Sequence, residues 1–290
     1  MKSNSSSSAF LMILPAFVLL AALTAYPLGR GLALSFFATE YGFEDARFVG
    51  VQNYLRLGSD RFFRTAISNT VWFTILATVA EVALGLALAL LVNRRFPGRA
   101  VVITLLIAPF VLSTMVVTAI WSAWFHYDYG YLNNIVAAVG LDRVAWLSSP
   151  RIALYSIVLV DVWQTVPFVF LILLAGLQSI DKEIYEAARM DGAGPAHVLM
   201  TVTIPLLMPH IALAALLRSI DSFKIFDKVF ALTGGGPGQS TETLSVYLYR
   251  LGFKFSEIGM ASAAAMIMVV LAGMLACIYA AKILKEGRNA

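Results

Sequence analysis

Long apolar stretches alternate with short polar ones along the whole 290-residue chain. The apolar stretches exceed what a core helix of a soluble domain requires. Crossing a hydrocarbon layer ~30 Å thick takes roughly 20 mostly apolar helical residues. Six stretches meet that length, at about 9–30, 66–92, 101–125, 152–177, 206–230 and 257–281. The pattern predicts an all-α integral membrane protein with six transmembrane helices, forming a single transmembrane domain over residues 1–290. The first stretch is longer than the apolar core of a signal peptide. It has no small-x-small cleavage site before Tyr26-Pro27, so it is expected to remain as the first span. The serine-rich SNSSSS ahead of it is expected to be disordered.

The polar segments between the spans differ in kind. Residues 37–65 are polar and aromatic, too long for a tight turn, and expected to be partly ordered on the outer face. Residues 126–150 contain a short amphipathic stretch bounded by Gly130, Gly140 and Pro150, rich in the Tyr and Trp that favour a membrane interface. Residues 233–243, TGGGPGQSTET, read as a flexible turn. An even number of spans puts both termini on one side. The shortest segments, NRRFPGR at 93–99 and KILKEGR at 282–288, are dense in cations, which predicts that both termini are cytoplasmic. Cations in the first outer loop (Arg47, Arg56, Arg61 and Arg64) weaken a simple count.

Composition agrees: 60% of residues are hydrophobic and 13% charged. The net charge of +4 comes from the flanks of the spans and does not indicate nucleic-acid binding, because no basic cluster is interleaved with aromatics. Cys277 is the single cysteine, so no disulfide can form within the chain. His126, His197 and His210 lack metal-ligand spacing. GGGPG at 234–238 is followed by Gln239 and Ser240 and not by the lysine of a phosphate loop, and no such loop occurs elsewhere. The chain is therefore expected to bind no cofactor and to hydrolyse no ATP.

One polar insertion stands apart. Residues 186–205 read EAARMDGAGPAHVLMTVTIP, between the fourth and fifth apolar stretches. A short helix is expected there, broken around Gly192-Ala193-Gly194-Pro195 and followed by a second. Asp181, Glu183 and Glu186 crowd the start of the first, where free backbone amides favour negative charge by roughly 0.3–1 kcal/mol. Lys182 and Arg189 are spaced to pair with Glu186 for ~0.2–0.5 kcal/mol. Ala187 and Ala188 allow close approach of another surface. Gly192 and Gly194 free the backbone to turn, Pro195 suits a first helical turn, and Pro205 is expected to break the second helix before the next span. The product is a helix-turn-helix on the cytoplasmic face, shaped to be gripped.

Glu186-Ala187-Ala188, Gly192 and Val202-Thr203-Ile204-Pro205 follow the spacing E-A-A-x3-G-x9-I-x-L-P, with Val and Ile at the two aliphatic positions. This motif resembles that of the permease subunits of binding-protein-dependent ABC importers. FVGVQNYLRL, ALALLVNRRFPGR, DYGYLNN, DVWQTVPFVFLILLAGLQSI and LTGGGPG extend the likeness to the carbohydrate branch over nearly the whole chain. The resemblance implies that the 182–205 loop is a coupling helix, with Glu186, Ala187, Ala188, Arg189, Asp191 and Gly192 seated on an ATPase subunit. It further implies a second homologous permease subunit, two ATPase subunits that hold ATP and Mg, and an extracytoplasmic substrate-binding protein.

Ionisable residues inside spans cost about 2.5–3.5 kcal/mol each on insertion scales and point to function. Asp161 lies ~14 Å into the fourth stretch from outside, and Asp221 lies ~22 Å along the fifth, ~8 Å from its outer edge. Both occupy the outer-to-middle zone, whereas Glu81 is expected near the inner third of the second span. Asp161, Gln164, Thr165 and Phe168 share one helical face, a combination of hydrogen-bonding groups and an aromatic ring that suits a sugar. The resemblance places the sugar path on this face, often with Asn at the position of Asp161, and near Ser222 and Ile225 on the fifth span. Arg218, Asp221, Lys224, Asp227 and Lys228 equally read as charges that neutralise one another. The expected function is the permease subunit of an importer of a sugar, polyol or related carbohydrate. The alternative is an ion-coupled secondary transporter using Asp161, Glu81 or Asp221.

Overall fold

A computed structural model describes residues 4–39, 45–94 and 96–287. Lys2, Arg95 and Arg288, three of the cations bearing on orientation, lie outside the described residues. Among the described residues the regular elements are helices apart from a two-residue ladder, and the chain divides into two compact units. One comprises residues up to Asp60 with Leu248–Val270, and the other Arg61–Tyr247 with the residues from Leu271 on.

In the first unit, helix α1 spans Asn4–Leu34 and contains Pro15 and Pro27. Asn4 to Ser8 are its first residues, so the serine run is helical where disorder was expected. Its apolar portion, Ile13–Leu34, is long enough to cross a membrane. The loop beyond is ordered by strands β1 (Phe37–Ala38) and β2 (Arg47–Phe48), paired antiparallel, and by helix α2 (Gln52–Ser59). Asn53 is buried at the start of α2, and its Nδ2 donates to Ser35 O and Phe37 O, both at 2.9 Å. That one amide supplies the donors that the chain leaving α1 lacks. A π-helical turn at Arg250–Lys254 precedes the last helix, Ile258–Gly287, the first part of which belongs to this unit.

The second unit is organised around one helix. Helices α3 (Arg61–Val92), α4 (Arg99–Val111), α5 (Thr114–Trp124) and α6 (Tyr131–Ala138) lead to α7 (Ala153–Ser179), whose apolar stretch is 72% buried. Glycines let neighbours approach it closely. A Cβ at Gly85 of α3 would lie 2.7 Å from Val169 Cγ1 and 3.1 Å from the Phe170 backbone of α7. A Cβ at Gly176 of α7 would lie 2.6–2.7 Å from His210 and Leu207. Small residues at such contacts are the usual means of helix association where water supplies no driving force. Two apolar clusters result, one around Phe73, Ala77, Trp121 and Ile157, the other around Ala89, Phe170, Leu173 and Leu207. Amphipathic α6 forms where expected, pinned by buried Asn133, whose Oδ1 accepts from Val144 N and Trp146 Nε1.

Two expected spans, and the turn that leads into the second of them, are reshaped. The stretch 101–125 is two helices, α4 and α5, bent by 94° at Leu112 and Ser113, which are both extended. Among the described residues there are thus five helices able to cross a membrane, or six if this pair counts as one span. Pro205 does not end a helix. Helix α9 (Pro195–Val198) continues through a π turn at Leu199–Thr203 into α10 (Ile204–Phe223). The bond from Ile204 N to Leu199 O widens the turn just ahead of the proline, so its missing donor and its ring are accommodated. The expected span 206–230 stops at Phe223, and a separate helix α11 (Asp227–Thr233) follows. The 233–243 turn is held in place. Asn69 Nδ2 of α3 donates to Gln239 O and Glu242 O, and Leu244 N, opening helix α12 (Leu244–Tyr249), donates to Thr70 Oγ1 at 2.8 Å.

Candidate functional site

Between the two apolar clusters lies a layer of charge. Glu81 sits on α3 between Ala77 and Ala89, Asp161 and Thr165 on α7, and Arg218 on α10. Arg218 grips Glu81 with two nitrogens, Nε to Oε2 at 2.6 Å and Nη2 to Oε1 at 3.1 Å, and Nη2 also reaches Asp161 Oδ2 at 3.3 Å. Lys228 of α11 donates to Asp161 Oδ1 at 2.5 Å, and Thr165 Oγ1 donates to Glu81 Oε1 at 2.6 Å. All four charged side chains are at most 7% exposed. Charges so removed from water persist only when paired and hydrogen-bonded, which this arrangement achieves with two acids and two bases.

The network corrects one expectation and sharpens others. Glu81 lies level with Asp161 and Thr165, where a different depth from Asp161 was expected, because Thr165 bonds it directly and the long Arg218 side chain bridges it to Asp161. Asp161, Gln164, Thr165 and Ser222 are brought together, but all are buried within the chain. Gln164 Nε2 donates to Leu112 O at 3.0 Å, supplying a partner to a carbonyl freed by the α4–α5 bend, while its Oε1 is buried without one. Half-buried Phe168 stacks on Phe110, ring centroids 5.7 Å apart. Asp221 is half-exposed, 3.0 Å from Lys224 and 3.7 Å from Arg218, and Ile225 packs against the cluster around Phe73. Arg218 and Lys228 are the residues that organise this region. The sequence marks both only as charges that neutralise one another along the fifth stretch, and their partners on α3 and α7 lie far off in sequence.

The second region is exposed. Helix α8 (Lys182–Met190) starts at Asp181 and ends in a turn where Gly192 N donates to Arg189 O and Ala193 N to Ala188 O, each at 3.0 Å. Gly192 has φ +76°, the left-handed conformation that closes a helix this way and favours glycine. Gly194 has an ordinary negative φ, so only the first of the two glycines is required by the backbone. Pro195 then opens α9. Glu186, Ala187, Arg189, Asp191 and Gly192 are exposed and Ala188 is half-buried. The expected pairing of Glu186 with Lys182 or Arg189 does not form among the described residues, which leaves the carboxylate directed outward. A cleft of about 480 Å³ opens between the turn and α9, lined by Ala188, Asp191, Gly192, Gly194 and His197.

Among the described residues, no group of three His, Cys, Asp or Glu side chains is placed to hold a metal. Several helices long enough to cross a membrane, a buried layer of paired charge and an exposed helix-turn-helix fit a membrane transport component. The chain belongs to the family described as binding-protein-dependent transport system inner membrane component, which matches residues 81–285. It is accordingly a multi-pass inner-membrane permease subunit of an ABC importer and not an enzyme; ATP is handled on separate subunits. It is 35% identical over 288 residues to the trehalose/maltose transport system permease protein MalF of Thermococcus litoralis, covering 99% of this chain and 96% of that one. The sulfoquinovosyl glycerol transport system permease protein SmoG of Agrobacterium fabrum is 35% identical over 272 residues, covering 93% and 88%. In fold, the chain resembles a subunit of a bacterial ABC transporter involved in the import of the acidic polysaccharide alginate. The TM-score is 0.83 at 23% identity, over 96% of this chain and 95% of that one. A second structure holds the alginate transporter in complex with an alginate pentasaccharide-bound periplasmic protein, at TM-score 0.81 and 25% identity, covering 93% and 92%.

Proposed function

We propose that this permease passes a sugar, polyol or related carbohydrate, in a complex with a second homologous permease subunit, two ATPase subunits and an extracytoplasmic binding protein. The cargo class rests on relatives named for trehalose, maltose and sulfoquinovosyl glycerol. The observation that carries the coupling role is the α8 turn, with its exposed Glu186 and left-handed Gly192. A subunit without a phosphate loop needs a rigid handle to receive motion from an ATPase, and a capped nine-residue helix on a closed turn provides one. Glu186, Ala187, Ala188, Arg189, Asp191 and Gly192 form that handle, and the 182–205 loop faces the cytoplasm together with both termini.

The cargo path follows the stripe on α7 and the end of α10. Phe168, Asp221 and Ile225 retain exposure and border it, while Asp161, Gln164, Thr165 and Ser222 stand behind as its buried wall. Ion-coupled transport through Glu81 or Asp161 is disfavoured, since both acids are already neutralised by Arg218 and Lys228. The test is reconstitution of the complete complex in liposomes with its binding protein. ATP-driven uptake of a labelled carbohydrate is expected, abolished by Glu186→Lys with the complex still assembled. Ion-driven uptake by the chain alone, or normal uptake in the variant, overturns the reading.

A further inference from the structure

The fifth span is interrupted at residues 224–226, and Asp161 holds both sides of the interruption. Arg218, before it, binds Asp161 Oδ2 at 3.3 Å, and Lys228, after it, binds Asp161 Oδ1 at 2.5 Å. Lys228 lies in the first turn of α11, where a cation opposes the free amides of the helix start, and it is buried there. Its placement is therefore set by Asp161 and not by its own helix. Ile225 N still donates to Ser222 O at 3.3 Å and Phe226 O accepts from Phe230 N at 2.8 Å, but the carbonyls of Lys224 and Ile225 are taken by hydroxyls. Thr243 Oγ1 donates to Ile225 O and Ser245 Oγ to Lys224 O, each at 3.0 Å. Such side-chain bonds can be exchanged without unwinding a helix. The remaining charges are Glu81, held by Arg218, Asp221, held by Lys224 and Arg218, and exposed Asp227 at the start of α11.

We infer that residues 224–226 are a working joint of the transport cycle and that Asp161 is its pin. In the conformation described, one carboxylate clamps α10 and α11 at a set angle, and release of Lys228 lets α11 swing while Arg218 stays on Glu81. The inference rests on the chain cycling as part of an importer and not on the assignment of the cargo path.

The test uses the complete complex, with spin labels on Leu217→Cys and Ala231→Cys, both exposed and on either side of the joint, in a Cys277→Ser background. Pulsed electron-paramagnetic-resonance distances are recorded without nucleotide and with ATP under hydrolysis-arrested conditions. A single narrow distance is expected at rest, and a shifted one with ATP. Lys228→Met is expected to broaden the resting distribution and to raise ATPase activity in the absence of binding protein about fivefold, by releasing the resting state. Lys228→Arg restores both. The same distance in both nucleotide states of the wild-type complex means that the interruption is a fixed bend, which overturns the inference even if Lys228→Met fails to assemble. An unchanged distribution in an assembled Lys228→Met complex also overturns it. Wild-type carbohydrate uptake in the same preparation reports separately on the proposed function.

Discussion

The buried charge layer and the exposed turn that closes α8 are both rich in ionisable residues, yet they handle charge in opposite ways. Around Arg218 every buried acid faces a cation of the same chain within 3.3 Å. Around Gly192 the acids Glu186 and Asp191 are exposed and form no ion pair among the described residues. A charge that must live in a low-dielectric layer is satisfied internally or lost, whereas a charge in water can wait for a partner on another subunit. In the functions proposed above, the first region holds the fold and its joint and the second meets another subunit.

Substitutions can break this contrast, and the largest effect is expected in the buried layer. Arg218→Met leaves Glu81 and Asp161 with only Lys228 between them, so stability is expected to fall by about 3–5 kcal/mol. Thermal unfolding of the purified complex checks this. The double variant Glu81→Leu/Arg218→Met leaves Asp161 and Lys228 balanced and is expected to lose clearly less. Equal losses would mean that charge balance is not what holds the layer together. Next comes Glu186→Lys, expected to reduce uptake tenfold or more while thermal stability changes by no more than ~0.5 kcal/mol, because the residue is exposed and unpaired.

Smaller effects sharpen the comparison within each region. Phe168→Ala removes the stack on Phe110, and a loss of ~0.5–1.5 kcal/mol is expected, read as a several-fold drop in uptake with basal ATPase retained. Wild-type uptake would remove this face of α7 from the cargo path. Gly192→Ala forces an alanine to φ +76° at a cost of about 1 kcal/mol, although nothing within 4 Å obstructs its methyl group. Gly194→Ala, with neither a positive φ nor an obstruction, is expected to behave as wild type. Equal transport by the two glycine variants would show that the turn geometry is not what the ATPase reads.

Much of this was legible in the residues alone. Length and apolarity determined the spans, because lipid demands uninterrupted apolar helix. The alternation of acid, small, Gly and Pro residues over 181–195 determined the short helix α8 and the turn after it, because helix start and stop chemistry is local. What only the tertiary structure decided were the long-range pairings and the helix irregularities. Glu81 and Arg218 are far apart in sequence and met through the close α3–α7–α10 packing that Gly85 and Gly176 allow. The π turn that carries the helix past Pro205, the 94° bend at Leu112 and the stop at Phe223 likewise escaped a reading by hydrophobic run length. Apolar runs record how much helix lipid or protein can cover, but not where a backbone carbonyl finds another donor. Those donors, Gln164 for Leu112 and Thr243 and Ser245 for the joint at 224–226, come from elements that only the folded chain brings alongside.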